Sequence, residues 1–242
     1  MTRLPLGLLA ALLFASPCMA QPFTPEQRAA IVDILREALV ADPTILRDAV
    51  TALQEAEARE AAATQAQAMV AREAQLLRDP ADPVLGNPDG DVTVVEFFDY
   101  RCPFCRRAHA EVRALLAADR GVRYVAKELP ILGPASQVAA RVALAAHRQG
   151  KWDAVNTRLM NLSGEPTEAT MIAAAVVAGA DPARLRSDME DPAITAQLAS
   201  NLALARALGI TGTPAFVIGG RITPGAVDRA ELARLVAAAR PR

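Results

Sequence analysis

An α/β domain that carries a helical insertion and follows a helical N-terminal extension is predicted from three features. The apolar run Val92-Thr93-Val94-Val95-Glu96-Phe97-Phe98 is short and rich in β-branched and aromatic residues, as a buried strand is. Cys102-Pro103-Phe104-Cys105 follows it directly and opens a helical pattern that reaches about Ala118. Thr211-Gly212-Thr213-Pro214 is a turn leading into a second apolar strand, Ala215 to Ile218. Two thiols spaced by two residues between a strand and a helix point to thiol-disulfide chemistry.

The chain opens with Arg3, an apolar run from Leu4 to Phe14, and small residues before Ala20, the layout of a secretory signal cleaved after residue 20. The run is shorter than the ~20 residues that span a bilayer, and no later segment replaces it, so an exported protein without membrane insertion is expected. Cys18 lacks the aliphatic context of a lipidation site and leaves with the signal. Cys102 and Cys105 are then the remaining thiols, too few for a disulfide-stapled scaffold or for a four-thiolate zinc site. No metal and no cofactor are expected.

Residues 21–78 read as helix. Thr24 caps the first, Pro25 takes its first position, and Ile31, Ile34, Leu35 and Leu39 form one apolar face. Asp42-Pro43 repeats that start before a second stripe of Ile45, Leu46, Ala49, Val50 and Leu53. From Gln54 to Arg78 only Met69, Val70, Leu76 and Leu77 are large and apolar, which suggests an exposed rod or linker. The stripes need a partner surface: copies of the same segment, or the chain's own main domain.

Asp79-Pro80 and the turn residues up to Gly90 mark a boundary, with a second domain over 80–242. Val122 to Lys127 reads as the next strand, completing a β-α-β unit suited to a parallel pair. Ala-rich helical patterns broken at Gly150, Gly164, Gly179-Ala180-Asp181-Pro182 and Asp191-Pro192 form a helical insertion at about 135–208. The strand at Ala215, the turn Gly219-Gly220, a short strand at Arg221-Ile222 and a helix from about Val227 to Ala239 finish the domain.

With strand, paired cysteines, helical insertion and Thr-Pro turn in that order, residues 80–242 resemble the DsbA-like family of periplasmic disulfide oxidoreductases. Phe97 to Cys105 and Gly212-Thr213-Pro214 carry the likeness. The extension is similar to that of the ScsC-type subgroup. The resemblance implies a thioredoxin-like fold, periplasmic localisation, and a disulfide isomerase or oxidase acting on proteins with cysteines. It also implies a membrane redox partner and a homo-oligomer, with three as the number it favours. It further implies a cis peptide bond before Pro214, with that loop against Cys102 and the Thr213 backbone binding substrate as an added strand.

Cys102 is expected at the N-terminus of the helix that Pro103 begins, where unpaired N–H groups and the helix dipole favour a thiolate. It is assigned as the exposed nucleophile, and Cys105, one turn on, as the resolving thiol. Phe104 stands where the strongest oxidants of the family have a histidine, so a milder oxidant is expected. Glu96 interrupts the apolar strand, and an unpaired buried carboxylate is costly. By resemblance it lies beneath the helix, where with Lys127 it forms a proton relay to Cys105 or a purely structural pair. His109, four residues after Cys105, shares its helix face and could join the thiols in a Cu(I) site. His147 reads as surface and Trp152 as core.

A formal net charge of −1 with interspersed signs excludes a large basic face for nucleic acid. The alternatives to an oligomeric isomerase or oxidase are a monomeric DsbA-type dithiol oxidase and a non-catalytic copper-binding or copper-tolerance module.

Overall fold

A computed structural model describes residues 23–164 and 166–240. The signal sequence and Cys18 lie outside the described residues. The chain divides into two compact units between Ala58 and Arg59.

The first unit holds α1 (Pro25–Ala41) and the start of α2 (Thr44–Ala71). The side chain of Thr24 accepts from the Gln27 backbone at 3.3 Å, the cap expected of this sequence, and Gln27 accepts in return from the Thr24 backbone at 2.9 Å. Asp42 accepts from the Thr44 N–H at 3.0 Å at the start of α2. No residue of either helix is buried. Ile34 (64 %), Leu35 (56 %), Leu46 (58 %) and Leu53 (58 %) all face solvent.

The second unit is built on a five-stranded sheet in the order β1-β3-β2-β4-β5. Its strands are β1 (Val84–Gly86), β2 (Val92–Phe98), β3 (Val122–Glu128), β4 (Ala215–Ile218) and β5 (Arg221–Pro224). β2 and β3 are parallel, joined through α4 (Pro103–Ala118), and the other three pairings are antiparallel. The insertion comprises α5 (Pro134–His147), α6 (Trp152–Met160), α7 (Glu168–Val177), α8 (Pro182–Met189) and α9 (Pro192–Ala207), and α10 (Arg229–Ala239) closes the unit. This is the thioredoxin-like fold that the sequence predicts.

Strand alternation gives the sheet two buried faces. Val94, Phe98, Tyr124 and Phe216 meet Cys105, Val112 and Leu115 of α4 together with Leu232 and Val236 of α10. Val95, Phe97, Val125 and Val217 meet Leu204 and Leu208 at the end of α9, and Leu76. Leu76 belongs to a short helix, α3 (Glu73–Leu77), and is 4 % exposed. Burial of that kind contributes roughly 1.5–3 kcal/mol. The end of the stretch read as a rod is therefore part of the core.

Two glycines show why the turns need them. Gly219 and Gly220 have φ of 55° and 74°, the pair of positive values that a two-residue β4–β5 hairpin requires. Gly86, read from the sequence as part of a boundary, instead ends β1, and a Cβ there would lie 2.5 Å from the Val122 carbonyl oxygen.

Candidate active site

The cysteine pair is placed by β2 and α4. The chain leaves β2 at Phe98, turns through Asp99 to Arg101, and enters α4 with Cys102 as the cap residue and Pro103 at the first position. Asp99 fixes the turn: one carboxylate oxygen accepts from the Arg101 N–H at 2.8 Å, the other from Ile131 and Leu132 at 2.9 and 3.0 Å. The sequence reading gave Asp99 no role. Its position just after a buried strand, where a short acceptor can tie a turn, was the available signal.

Both thiols are free. Thr213-Pro214 is a cis peptide bond, and Cys102 Sγ donates to the Thr213 carbonyl at 3.2 Å. The loop covers the sulfur, so Cys102 is only 4 % exposed. The expectation of an exposed nucleophile is corrected in this respect: the thiol sits beneath the loop. Cys105 is wholly buried, accepts from the Asp99 N–H at 3.5 Å, and is held far above the ordinary thiol range. Burial is the main cause, opposed by that N–H and reinforced by Glu96. The side chain of Phe104, between the cysteines, is half exposed, with the Arg107 guanidinium 4.6 Å above its ring.

Glu96 points to the α4 face, as expected. Its Oε2 accepts from the Tyr124 hydroxyl at 2.6 Å, and its Oε1 is buried without a hydrogen-bond partner. Burial pushes the carboxyl up to about 7, with the Tyr124 bond pulling the other way. The pairing of Glu96 with Lys127 is overturned. Glu96 stands opposite Ala126 and Phe97 opposite Lys127, so the lysine projects from the other face of the sheet. There Lys127 forms an ion pair with Asp82 and donates to the Gln75 carbonyl at 2.5 Å. Burial raises Asp82 to about 6 against the pull of the lysine.

A further buried carboxylate, Glu128, accepts from the Tyr100 hydroxyl at 2.9 Å and from Trp152 at 3.2 Å, while Asn156 donates to the Tyr100 oxygen at 3.2 Å. This cluster ties α6 to the end of β3. Burial holds Glu128 well above the usual carboxylate range. Trp152 is core, as expected. His147 is half-buried, and burial lowers its pKa. His109 is half-buried as well, between Arg113 and Asp153, and burial lowers its pKa too. Among the described residues no group of three or more His, Cys, Asp or Glu side chains is arranged to hold a metal.

A family model described as "Thioredoxin" matches residues 78–238, and one described as "Copper resistance protein ScsC N-terminal domain" matches residues 27–63. A thioredoxin-like oxidoreductase from Silicibacter pomeroyi is 51 % identical with a TM-score of 0.67, covering 69 % of this chain and 96 % of that one. Proteus mirabilis ScsC in a transitional conformation is 32 % identical with a TM-score of 0.66, covering 90 % and 96 %. Among curated proteins, a Na(+)/H(+) antiporter NhaA 1 of Salinispora arenicola is 33 % identical over 166 residues, 66 % of this chain. The chain spans only 26 % of that relative's length. Among the described residues no helix is long and apolar enough to cross a membrane.

Proposed function

Because the chain belongs to the thioredoxin family and carries the ScsC-type N-terminal domain, we propose that it is a periplasmic protein-disulfide isomerase and oxidase, assembled through α1 and α2. The observation that carries this reading is Cys102 at the cap of α4, with its sulfur 3.2 Å from the carbonyl of Thr213 before cis-Pro214. The sulfur lies where it attacks a disulfide held along Thr213.

Cys102 thiolate attacks one sulfur of a client disulfide. That S–S bond breaks, the second client sulfur leaves as a thiolate, and a mixed disulfide forms. Reattack by a client thiolate on Cys102-bound sulfur frees Cys102 and leaves a rearranged client. Alternatively Cys105 attacks the Cys102 sulfur, which releases a reduced client and leaves a Cys102–Cys105 disulfide. That escape needs the Cys105 proton to depart, and Glu96, near 7 and with one oxygen unengaged, is a buried acceptor on that face. Thr213 and Pro214 dock the client chain, and Pro103 and Phe104 shape the loop around the thiols. A membrane redox partner resets the pair. Lys127 has no part in the relay.

The exposed apolar residues of α1 and α2 support self-association, since large apolar patches on an isolated helix pair mark an interaction surface. The decisive experiment is reactivation of a scrambled-disulfide protein by the full chain beside Cys102→Ser and a Leu35→Glu/Leu46→Glu variant. Recovery that needs both Cys102 and the apolar face supports the oligomeric isomerase. Oxidation of a reduced client by all but Cys102→Ser, with no rescue of scrambled client, reassigns the chain as a DsbA-type oxidase. Stoichiometric Cu(I) binding with no turnover on either client reassigns it as a copper module.

A further inference from the structure

Leu208 to Pro214 is the segment that delivers Thr213 to Cys102, and its near end is held by a residue far away in the sequence. Gln65, on α2, donates through Nε2 to the Leu208 carbonyl at 2.8 Å. The next residue, Gly209, has φ of 69°, and a Cβ there would be in ordinary contact with the same amide nitrogen, at 3.6 Å. Between Gln65 and this segment lies a cleft of about 380 Å³, walled also by Thr211, Ala215, Ile222 and Pro224. Thr213 borders it and also touches the Cys102 sulfur, so the cleft begins where a mixed disulfide would be.

We infer that Gln65 is a positioning residue for polypeptide substrates: with the Gly209–Pro214 segment it forms a cleft that receives the client chain beside its reacting cysteine and selects uncharged residues there. The inference rests on the proposed disulfide exchange at Cys102 and adds which clients that exchange favours.

The selectivity follows from the lining. None of the cleft's residues is charged. A carboxylate or ammonium entering it gives up water and finds amide, hydroxyl and alkyl groups instead of a counter-ion. The other side of the same segment differs, because a cleft of about 420 Å³ there includes Arg206. An aliphatic residue next to the client cysteine exchanges water for Ile222, Pro224 and Ala215. The chain itself, extended at about 3.3 Å per residue, needs only one or two residues to run from the sulfur into the cleft. The Gln65 amide keeps the wall in place by holding Leu208.

The test uses reduced full-length protein and peptides bearing one cysteine blocked as its thionitrobenzoate disulfide, with Leu or Glu at the two positions on either side. Attack by Cys102 releases thionitrobenzoate, which is coloured, and forms the peptide mixed disulfide. The unmodified chain is expected to prefer the Leu peptide about tenfold in kcat/KM, mostly through KM. Gln65→Trp fills the cleft and is expected to raise KM for the Leu peptide about tenfold with kcat within twofold. Gln65→Lys keeps a donor for Leu208 while adding a cation, and is expected to reduce or invert the preference. Reaction with 4,4′-dithiodipyridine, a small neutral disulfide, reads the cysteine pair separately. An unchanged preference and unchanged KM in both variants overturns the inference while leaving the proposed function standing. Loss of the dithiodipyridine reaction in both variants also overturns it, by assigning Gln65 to the integrity of the cysteine pair. Failure of the unmodified chain to attack any blocked peptide defeats the proposed function instead.

Discussion

The two faces of the sheet each bury a charged side chain one strand apart, and they solve the problem in opposite ways. On the α4 face Glu96 has a tyrosine hydroxyl and no cation, and burial leaves its carboxyl near 7. On the opposite face Lys127 has Asp82, buried with it, and the Gln75 carbonyl. The acid without a counter-ion is pushed up to about 7, whereas Asp82, with its cation pulling the other way, is pushed up to about 6. The first face suits chemistry and the second suits attachment, since Lys127 and Asp82 bind β3 to the segment entering β1 and to α3.

The largest expected effect lies on the attachment face. Lys127→Met leaves Asp82 buried without its cation and is expected to lower stability by about 3–5 kcal/mol, the usual penalty for breaking a buried pair. Chemical denaturation reads this, and peptide exchange by the fraction still folded should stay near normal. A comparable loss of exchange in the folded fraction would return Lys127 to the proton relay.

On the chemistry face Glu96→Gln is expected to slow release of the mixed disulfide by Cys105 about ten- to hundredfold, within the range of general-base effects, with the fold intact. Stopped-flow measurement of that second step checks it, and an unchanged rate removes Glu96 from the proton path. Stability carries a second signature. The folded-state value near 7 lies above the ordinary 4.5 of the unfolded chain. The folded protein thus holds the extra proton between those values, and stability falls as pH rises through that window. At about 1.4 kcal/mol per unit, the loss is on the order of 3 kcal/mol, complete just above pH 7. Glu96→Gln should flatten that part of the stability profile; a curve parallel to that of the unmodified chain would contradict the assigned protonation.

The smallest effect belongs to Tyr124→Phe. Its hydroxyl lowers the Glu96 value, so removing it should move the pH dependence of mixed-disulfide release upward and slow the step a few-fold at pH 7. A pH profile that does not move would show that Tyr124 only packs.

The elements that carry the chemistry were legible because each has a local signature. The cysteine pair follows a strand, the Thr-Pro turn precedes one, and Glu96 stands out in an apolar run. Its partner was not legible, because partnership depends on register: the parallel alignment of β2 with β3 sets Glu96 against Ala126 and sends Lys127 to the far side. A shift of one residue in that alignment reverses the answer. β1 was hidden for another reason, since three residues ending in a glycine give no period to read. The cover over Cys102 and the contact of Gln65 with Leu208 join residues more than a hundred positions apart, which no local pattern encodes. In α1 and α2 the stripes were plain, and the structure leaves them exposed.

The place of Leu76 bears on how such domains can be transplanted. The family model begins at residue 78, so a graft cut there looks complete by sequence. It would nevertheless leave behind the side chain that closes the floor under Val95, Phe97 and Val125, the carbonyl that receives Lys127, and the amide that holds Leu208. The unit of inheritance and the unit of cohesion differ by about a helix and a half. A fusion that respects the second must carry the chain from Arg59.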